Sequence, residues 1–111
     1  MPIKITVEEN KISAFLSGDI DHHCVSKLRS ELDYFIRENM PKELILDFSE
    51  VLFMDSSGIG FVMGRYKLMN ESGGKISIYN PQPHIKKVMK LSGIEKLATI
   101  KSVWKGVKWW K

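Results

Sequence analysis

The sequence predicts a single α/β domain in which helices pack against a mixed β-sheet, with the elements in the order ββαβαβαβ. Two segments near the start alternate apolar and polar residues, as strands with one buried face do. A continuous apolar run, ELILDF at 43–48, is typical of a parallel strand covered on both faces. Apolar stripes at helical spacing separate the later strand-like segments, and parallel neighbours require such helical crossovers.

The first elements follow from the spacing of their apolar residues. Alternation at 3–7 and at 12–16, with the turn sequence EEN between them, predicts a β-hairpin. Apolar residues then recur at helical spacing from 25 to 36, which predicts the first helix. We expect Asp21 to cap the N-terminus of this helix, because its carboxylate can accept unpaired backbone N–H groups, and Pro41 follows the end of the helix.

The second half alternates helices and strands. After the buried strand, a helical stripe begins at Ile59 and is stopped by the sequence SGG at 72–74. Residues 75–79 read as another strand. The prolines of NPQP precede a short helix, Gly93 stops that helix, and a last strand fits 97–101.

Length and composition fit one globular domain spanning 1–111. Its 111 residues, 43% hydrophobic and 27% charged, can form a core without disulfides or metal. We expect residues 3–101 to form that core and 102–111 to be a tail. No apolar run approaches the roughly 18 residues that cross a membrane, and the start lacks a signal-peptide pattern. A cytoplasmic location is therefore expected, and the single cysteine, Cys24, fits a reducing compartment.

Charge is distributed unevenly along the chain, whose formal net charge is +4. Residues 1–50 carry −4 and residues 51–111 carry +8. Lys86, Lys87 and Lys90 lie on the basic third helix. Such asymmetry is compatible with solvated surface lysines, with an acidic protein partner or with a nucleic-acid surface.

The tail, SVWKGVKWWK at 102–111, combines three tryptophans with lysines. Aromatic and basic residues together could stack on nucleic-acid bases or lie at a membrane interface. We expect instead that Trp104 and Val107 pack on the sheet as a shortened last helix, because exposed aromatic clusters are unusual in soluble monomers.

The stretch FMDSSGIGF at 53–61 places two serines at a junction between a strand and a helix. A nucleophile elbow needs glycine two residues before its serine, where this chain has methionine for Ser56 and aspartate for Ser57. A dinucleotide-binding loop fits poorly, because the third glycine, Gly64, is displaced by one residue. Two interpretations remain: the hydroxyls cap the helix, or one of them accepts a phosphate, which a helix N-terminus tolerates.

The stretch DHHC at 21–24 contains possible zinc ligands but does not predict a zinc site. Consecutive residues on a helix do not face one another. A zinc site needs about four ligands, and His84 is the one further histidine in the sequence. We therefore expect neither a metal nor a cofactor.

Five segments together indicate a family. They are GDIDHH at 18–23, FMDSSGIG at 53–60, GRYK at 64–67, GG at 73–74 and MKLSGIEK at 89–96. The chain resembles the anti-sigma factor antagonists with the STAS fold, and especially their sporulation branch, the anti-sigma-F factor antagonists. The resemblance covers positions 3–101, whereas the tail departs from it, since family members usually finish with a longer amphipathic helix.

The resemblance implies a partner switch that has no catalysis of its own. The unphosphorylated antagonist binds an anti-sigma factor, which is also a serine kinase, and so frees the sigma factor. The kinase uses ATP to phosphorylate the first serine of the motif, here Ser56, which blocks binding, and a metal-dependent serine phosphatase reverses this. We expect a monomer without direct nucleic-acid contacts.

The resemblance also implies which residues form the site. Ser57 is the competing phosphoacceptor, and we expect it to cap the helix or orient the loop. Asp21 and His22 are expected beside the phosphoacceptor. The partner-binding residues are predicted to be Asp21, His22, Asp55, Ser56, Ser57, Gly58, Ile59 and Gly60.

Two other functions remain open. A STAS module could bind a nucleotide or another anionic ligand at the helix N-terminus formed by 56–60. Such a module should be stabilised by ATP alone, whereas a switch should need its kinase. Nucleic-acid binding through the tail would show steep salt dependence.

Overall fold

The computed structural model describes residues 3–104, and these form the predicted α/β arrangement. The element order ββαβαβαβ is confirmed, with one added 3₁₀ turn. The elements are β1 (Ile3–Glu8), β2 (Lys11–Ile20), α1 (Val25–Asn39), β3 (Glu43–Met54), α2 (Ser56–Glu71), β4 (Lys75–Tyr79), α3 (Pro83–Ser92), the 3₁₀ turn (Ile94–Lys96) and β5 (Thr99–Lys101).

The five strands form one mixed sheet in the order β1-β2-β3-β4-β5. The β1–β2 hairpin is antiparallel and every other pairing is parallel, so the predicted mixed sheet and its central buried strand are confirmed. β3 is longer than its apolar run suggested: it pairs with β4 through Asp47 and continues along β2 as far as Met54. There Met54 lies opposite Ile20, so β2 and β3 end side by side.

The core lies between the sheet and the apolar faces of the helices. In β2, Ile12, Ala14 and Leu16 are fully buried on alternate positions. In β3, five consecutive residues at 44–48 are buried, as expected of a strand covered on both faces. The three helices contribute their inward-facing side chains to the same core: Leu28, Leu32, Ile36, Phe61, Val62, Met69, Ile85 and Met89.

A buried ion pair joins α1 to α2. Arg65 Nε lies 2.8 Å from Asp33 Oδ1, and Arg65 Nη2 donates to Asp33 Oδ2 at 3.2 Å. Burial lowers the pKa of Arg65; the Asp33 carboxylate acts in the opposite direction, while the charges of Arg29 and Arg37 add to the lowering. The pair fixes the two helices against each other at a position where neither charge is solvated.

Several sequence expectations need correction. α1 begins at Val25 with Cys24 at its N-cap position and no side-chain cap, so Asp21 does not cap it. The last strand begins at Thr99 rather than 97, because the chain after Gly93 first forms the 3₁₀ turn. The apolar spacing of α3 places Ile85, Val88 and Met89 on one expected buried stripe, but Val88 is exposed while the other two are buried.

The expected packing of the tail is wrong for Trp104, whose residue surface is 83% exposed. Val107 and the rest of the tail, 105–111, lie outside the described residues. None of the helices within 3–104 is long and apolar enough to cross a membrane.

Candidate functional site at the start of α2

Asp55 caps α2, so neither serine is the capping residue of this helix. Its backbone is extended, and its Oδ1 accepts hydrogen bonds from the N–H groups of Ser57 at 2.8 Å and Gly58 at 3.3 Å. Ser56 and Ser57 are therefore the first two residues of the helix. Of the two roles expected for Ser57, capping the helix is wrong, because the Asp55 carboxylate already accepts the free N–H groups; orienting the loop stays a prediction.

The two serine hydroxyls differ in exposure. Ser56 is exposed and Ser57 is half-buried. Neither hydroxyl makes a hydrogen bond within the described part of the chain. Modifying Ser56 would therefore break no side-chain hydrogen bond of the fold.

Gly58 allows the start of α2 to approach the end of β2 closely. A Cβ at this position would lie 2.8 Å from the carbonyl oxygen of Ile20 and would also collide with the side chain of Met54. A Cβ at Gly60, in contrast, would meet no other described residue within 4 Å. Ile59 is half-buried against the core. Close packing therefore requires glycine at position 58, whereas the space around position 60 would admit a larger residue.

The loop between β2 and α1 lies beside this helix start. The N–H of Asp55 donates to the Ile20 carbonyl at 3.4 Å, and His22 Nδ1 lies 3.7 Å from Asp55 Oδ2. Asp21 Oδ1 accepts the backbone N–H of His23 at 2.9 Å and so stabilises the loop itself. The structure thus brings His22 to Asp55 and leaves the carboxylate of Asp21 within its own turn.

Hydrogen bonds keep Asp55 charged. Partial burial acts to raise its pKa, but the backbone N–H groups of Ser57, Gly58 and His22 and the His22 ring all favour the carboxylate. The pKa of Asp55 is consequently below its ordinary value of 3.8. A negative charge therefore sits directly before Ser56 at neutral pH.

A cavity of about 360 Å³ opens between α1 and α2 next to these residues. Ser57 and Gly60 line it from α2, and Ser26 and Arg29 line it from α1, with Arg65 at its buried side. Sequence reasoning missed Ser26 and Arg29, because they belong to no motif and reach the site only through the packing of the two helices.

Apolar side chains are exposed on the strand that leads into the site. Leu52 is 61% exposed and Phe53 is 49% exposed. His84, at the start of α3, places Nε2 2.8 Å from the Leu52 carbonyl oxygen and so adjoins this surface. Sequence reasoning missed this surface, since the strand was expected to end at 48.

Within 3–104, no three His, Cys, Asp or Glu side chains come together as metal ligands do.

Comparison with known proteins identifies the fold and the family. The model of the STAS domain family matches residues 3–105. An anti-sigma F factor antagonist of Paenibacillus polymyxa is 32% identical over 102 residues, which cover 90% of this chain and 87% of that protein.

Two solved structures of SpoIIAA have the same fold. The anti-sigma factor antagonist SpoIIAA in its unphosphorylated form superposes with a TM-score of 0.82 at 28% identity, covering 93% of this chain and 89% of its own. The Bacillus cell fate determinant SpoIIAA in the phosphorylated form gives 0.75 at 28% identity, covering 93% and 92%. The described sheet, the helix start at Ser56 and these similarities agree, and the chain belongs to the STAS domain family, together with the anti-sigma F factor antagonists.

Proposed function

We propose that the protein is an anti-anti-sigma factor that works by partner switching. Its unphosphorylated form binds an anti-sigma factor that is also a serine kinase, and this releases the sigma factor for sporulation transcription. Phosphorylation of Ser56 blocks that binding. The observation that carries the proposal is an exposed serine hydroxyl that has no hydrogen-bond partner among the described residues, at a helix start that a neighbouring aspartate already caps.

Ser56 is a better acceptor than Ser57 because a kinase must reach the hydroxyl. Ser56 is exposed, whereas Ser57 is half-buried and faces the cavity between α1 and α2. A phosphate on Ser57 would have to enter that cavity, but a phosphate on Ser56 would remain at the surface.

The partner is proposed to dock around the same helix start. Asp55 and His22 join the loop and α2 into one surface, and the exposed side chains of Leu52 and Phe53 extend it with apolar area. Apolar area next to a modifiable hydroxyl favours a protein partner, since aromatic anchors supply much of the energy at protein interfaces. The proposed contact residues are Asp21, His22, Asp55, Ser56, Ser57, Gly58, Ile59 and Gly60.

The protein acts in this scheme as a substrate and a switch and carries out no catalysis. A metal-dependent serine phosphatase returns it to the binding form. It is proposed to act in the cytoplasm as a monomer.

Intact-mass analysis after incubation with the cognate anti-sigma kinase and ATP tests the proposal. Wild type should gain one phosphate, located on Ser56 by fragmentation, and should then lose the complex with the kinase. Ser56→Ala should gain none, and Ser57→Ala, the matched control, should be labelled like wild type.

Label that persists in Ser56→Ala would refute the assignment of the acceptor. No label with an active kinase would refute the switch. If ATP alone then raised the melting temperature, the anionic-ligand module would become the better explanation, with the cavity beside Ser57 as its site.

A further inference from the structure

The cavity between α1 and α2 is lined by Ser57, the residue that directly follows Ser56 in the chain. Ser57 and Gly60 line it, and Ser56 lies one helical turn before Gly60 on the same side of α2. Apart from the backbone of α2 itself, no atom of residues 3–104 would lie within 4 Å of a Cβ at Gly60 or at Gly64, so the described residues leave this side of α2 open. A group attached to Ser56 can therefore bend over the cavity without meeting a side chain of α2.

The two arginines that line the cavity differ in their charge partners. Arg65 is buried and paired with Asp33. Arg29 is exposed, and within 3–104 no carboxylate lies close enough to form an ion pair with it. The first turns of α1 and α2 contain no acidic residue. Arg29 thus contributes a positive charge to the cavity that the described residues do not neutralise.

We propose that Arg29 receives the phosphate of Ser56 in the phosphorylated protein and holds it over the cavity. The inference rests on the proposed function. A guanidinium pairs with phosphate oxygens in a forked geometry, so arginine suits this role better than lysine. The contact converts an open, positively charged cavity into a covered one, and the partner then meets a surface with a different shape and charge.

The other charged groups near Ser56 explain why such a counter-charge is needed. Asp55 directly precedes it and is held in its charged form. Asp21 lies in the adjacent loop, and both carboxylates repel a phosphate. His22, whose Nδ1 lies 3.7 Å from Asp55 Oδ2, carries a positive charge only when it is protonated. Asp33, four residues after Arg29 on α1, is occupied by Arg65.

The test installs phosphoserine at position 56 by genetic-code expansion, so that no kinase is involved. Phosphorus NMR then follows the second ionisation of the phosphate against pH. Removing a solvent-exposed charge partner changes such an equilibrium about two- to fivefold. The phosphate should therefore become a weaker acid by that factor in Arg29→Ala. Arg37→Ala is the matched control, because it removes the same side chain from the exposed far end of α1 and should leave the titration unchanged.

The unmutated chain supplies a second measurement if Arg29→Ala folds poorly. The Nε–H resonance of Arg29 should shift when position 56 carries phosphate, and that of Arg37 should not. An unchanged titration in Arg29→Ala, or an unmoved Arg29 resonance, overturns the inference, and so does a titration that changes in His22→Gln instead. Because the phosphate is installed without a kinase, these results do not depend on whether a kinase modifies Ser56.

Discussion

Replacing Asp33 by alanine should destabilise the protein far more than an ordinary surface substitution. The side chains of Asp33 and Arg65 are only 9% and 6% exposed. In the variant, the guanidinium would stay buried with the carbonyl of Phe61, 3.3 Å from Nη1, as its remaining acceptor. Breaking a buried pair in this way costs about 3–5 kcal/mol, because it leaves a charge that is neither solvated nor paired.

The loss would be a large part of the roughly 5–15 kcal/mol that stabilises a typical domain. For a chain of this size, about 4 °C in Tm corresponds to 1 kcal/mol, so the Tm should fall by about 12–20 °C. Urea denaturation followed by circular dichroism measures the free energy of unfolding directly. Glu38→Ala removes an exposed carboxylate from the same helix and should stay within about 0.5 kcal/mol of wild type.

A double variant distinguishes the net energy of the ion pair from the cost of leaving one buried charge unpaired. Asp33→Leu together with Arg65→Met replaces both charges by apolar side chains, which is often neutral or stabilising for a buried pair. The double variant should therefore be clearly more stable than Asp33→Ala. A loss below about 1 kcal/mol in Asp33→Ala would refute the reasoning, since it would mean that Arg65 finds water or another partner without cost.

Three further predictions concern the start of α2 and the strand that leads into it. Gly58→Ala should lower the free energy of unfolding by about 1–3 kcal/mol, because its Cβ would lie 2.8 Å from the Ile20 carbonyl oxygen. Gly60→Ala is its control and should be neutral or slightly stabilising in urea denaturation, so equal losses would contradict the packing argument. Asp55→Ala should make the free energy of unfolding depend less on pH in the acid range. Folding lowers the pKa of Asp55, so the charged carboxylate stabilises the fold at neutral pH. This contribution is lost as the pH falls below about 3.8 and through the lower pKa of the folded state. Phe53→Ala should leave stability nearly unchanged but weaken binding to the anti-sigma factor by about tenfold in calorimetry, and unaltered affinity would exclude this side chain from the interface.

The architecture was largely predictable because its signals are local. Alternation at 12–16 and the continuous apolar run at 43–48 correctly indicated strands. Gly93 ends α3 in the left-handed conformation that favours glycine. The ends of elements were less predictable: β3 continues to Met54 because it pairs with β2 there, and this pairing is not visible in the residues of β3 alone.

The candidate site was only partly predictable. The motif DSSGIG located the helix start, but the capping residue was misplaced, since aspartate and serine are about equally good caps and their order alone does not decide between them. Arg29 and the Asp33–Arg65 pair could not be found from sequence spacing. Both depend on the packing of α1 against α2, which brings together residues 32 positions apart in the chain.

The cap at Asp55 explains how one residue can be modified without disturbing the fold. If a serine supplied the capping oxygen, phosphorylation would replace the group that accepts the free N–H groups. Here the carboxylate accepts those bonds from Ser57 and Gly58, and Ser56 makes none of them. A phosphate at the helix start gains about 0.3–1 kcal/mol from the dipole, and the adjacent charge of Asp55 opposes that gain. With the two effects opposed, the change in charge acts mainly on the surface that a partner would meet. Separating the cap from the acceptor therefore lets stability and binding respond independently to phosphorylation.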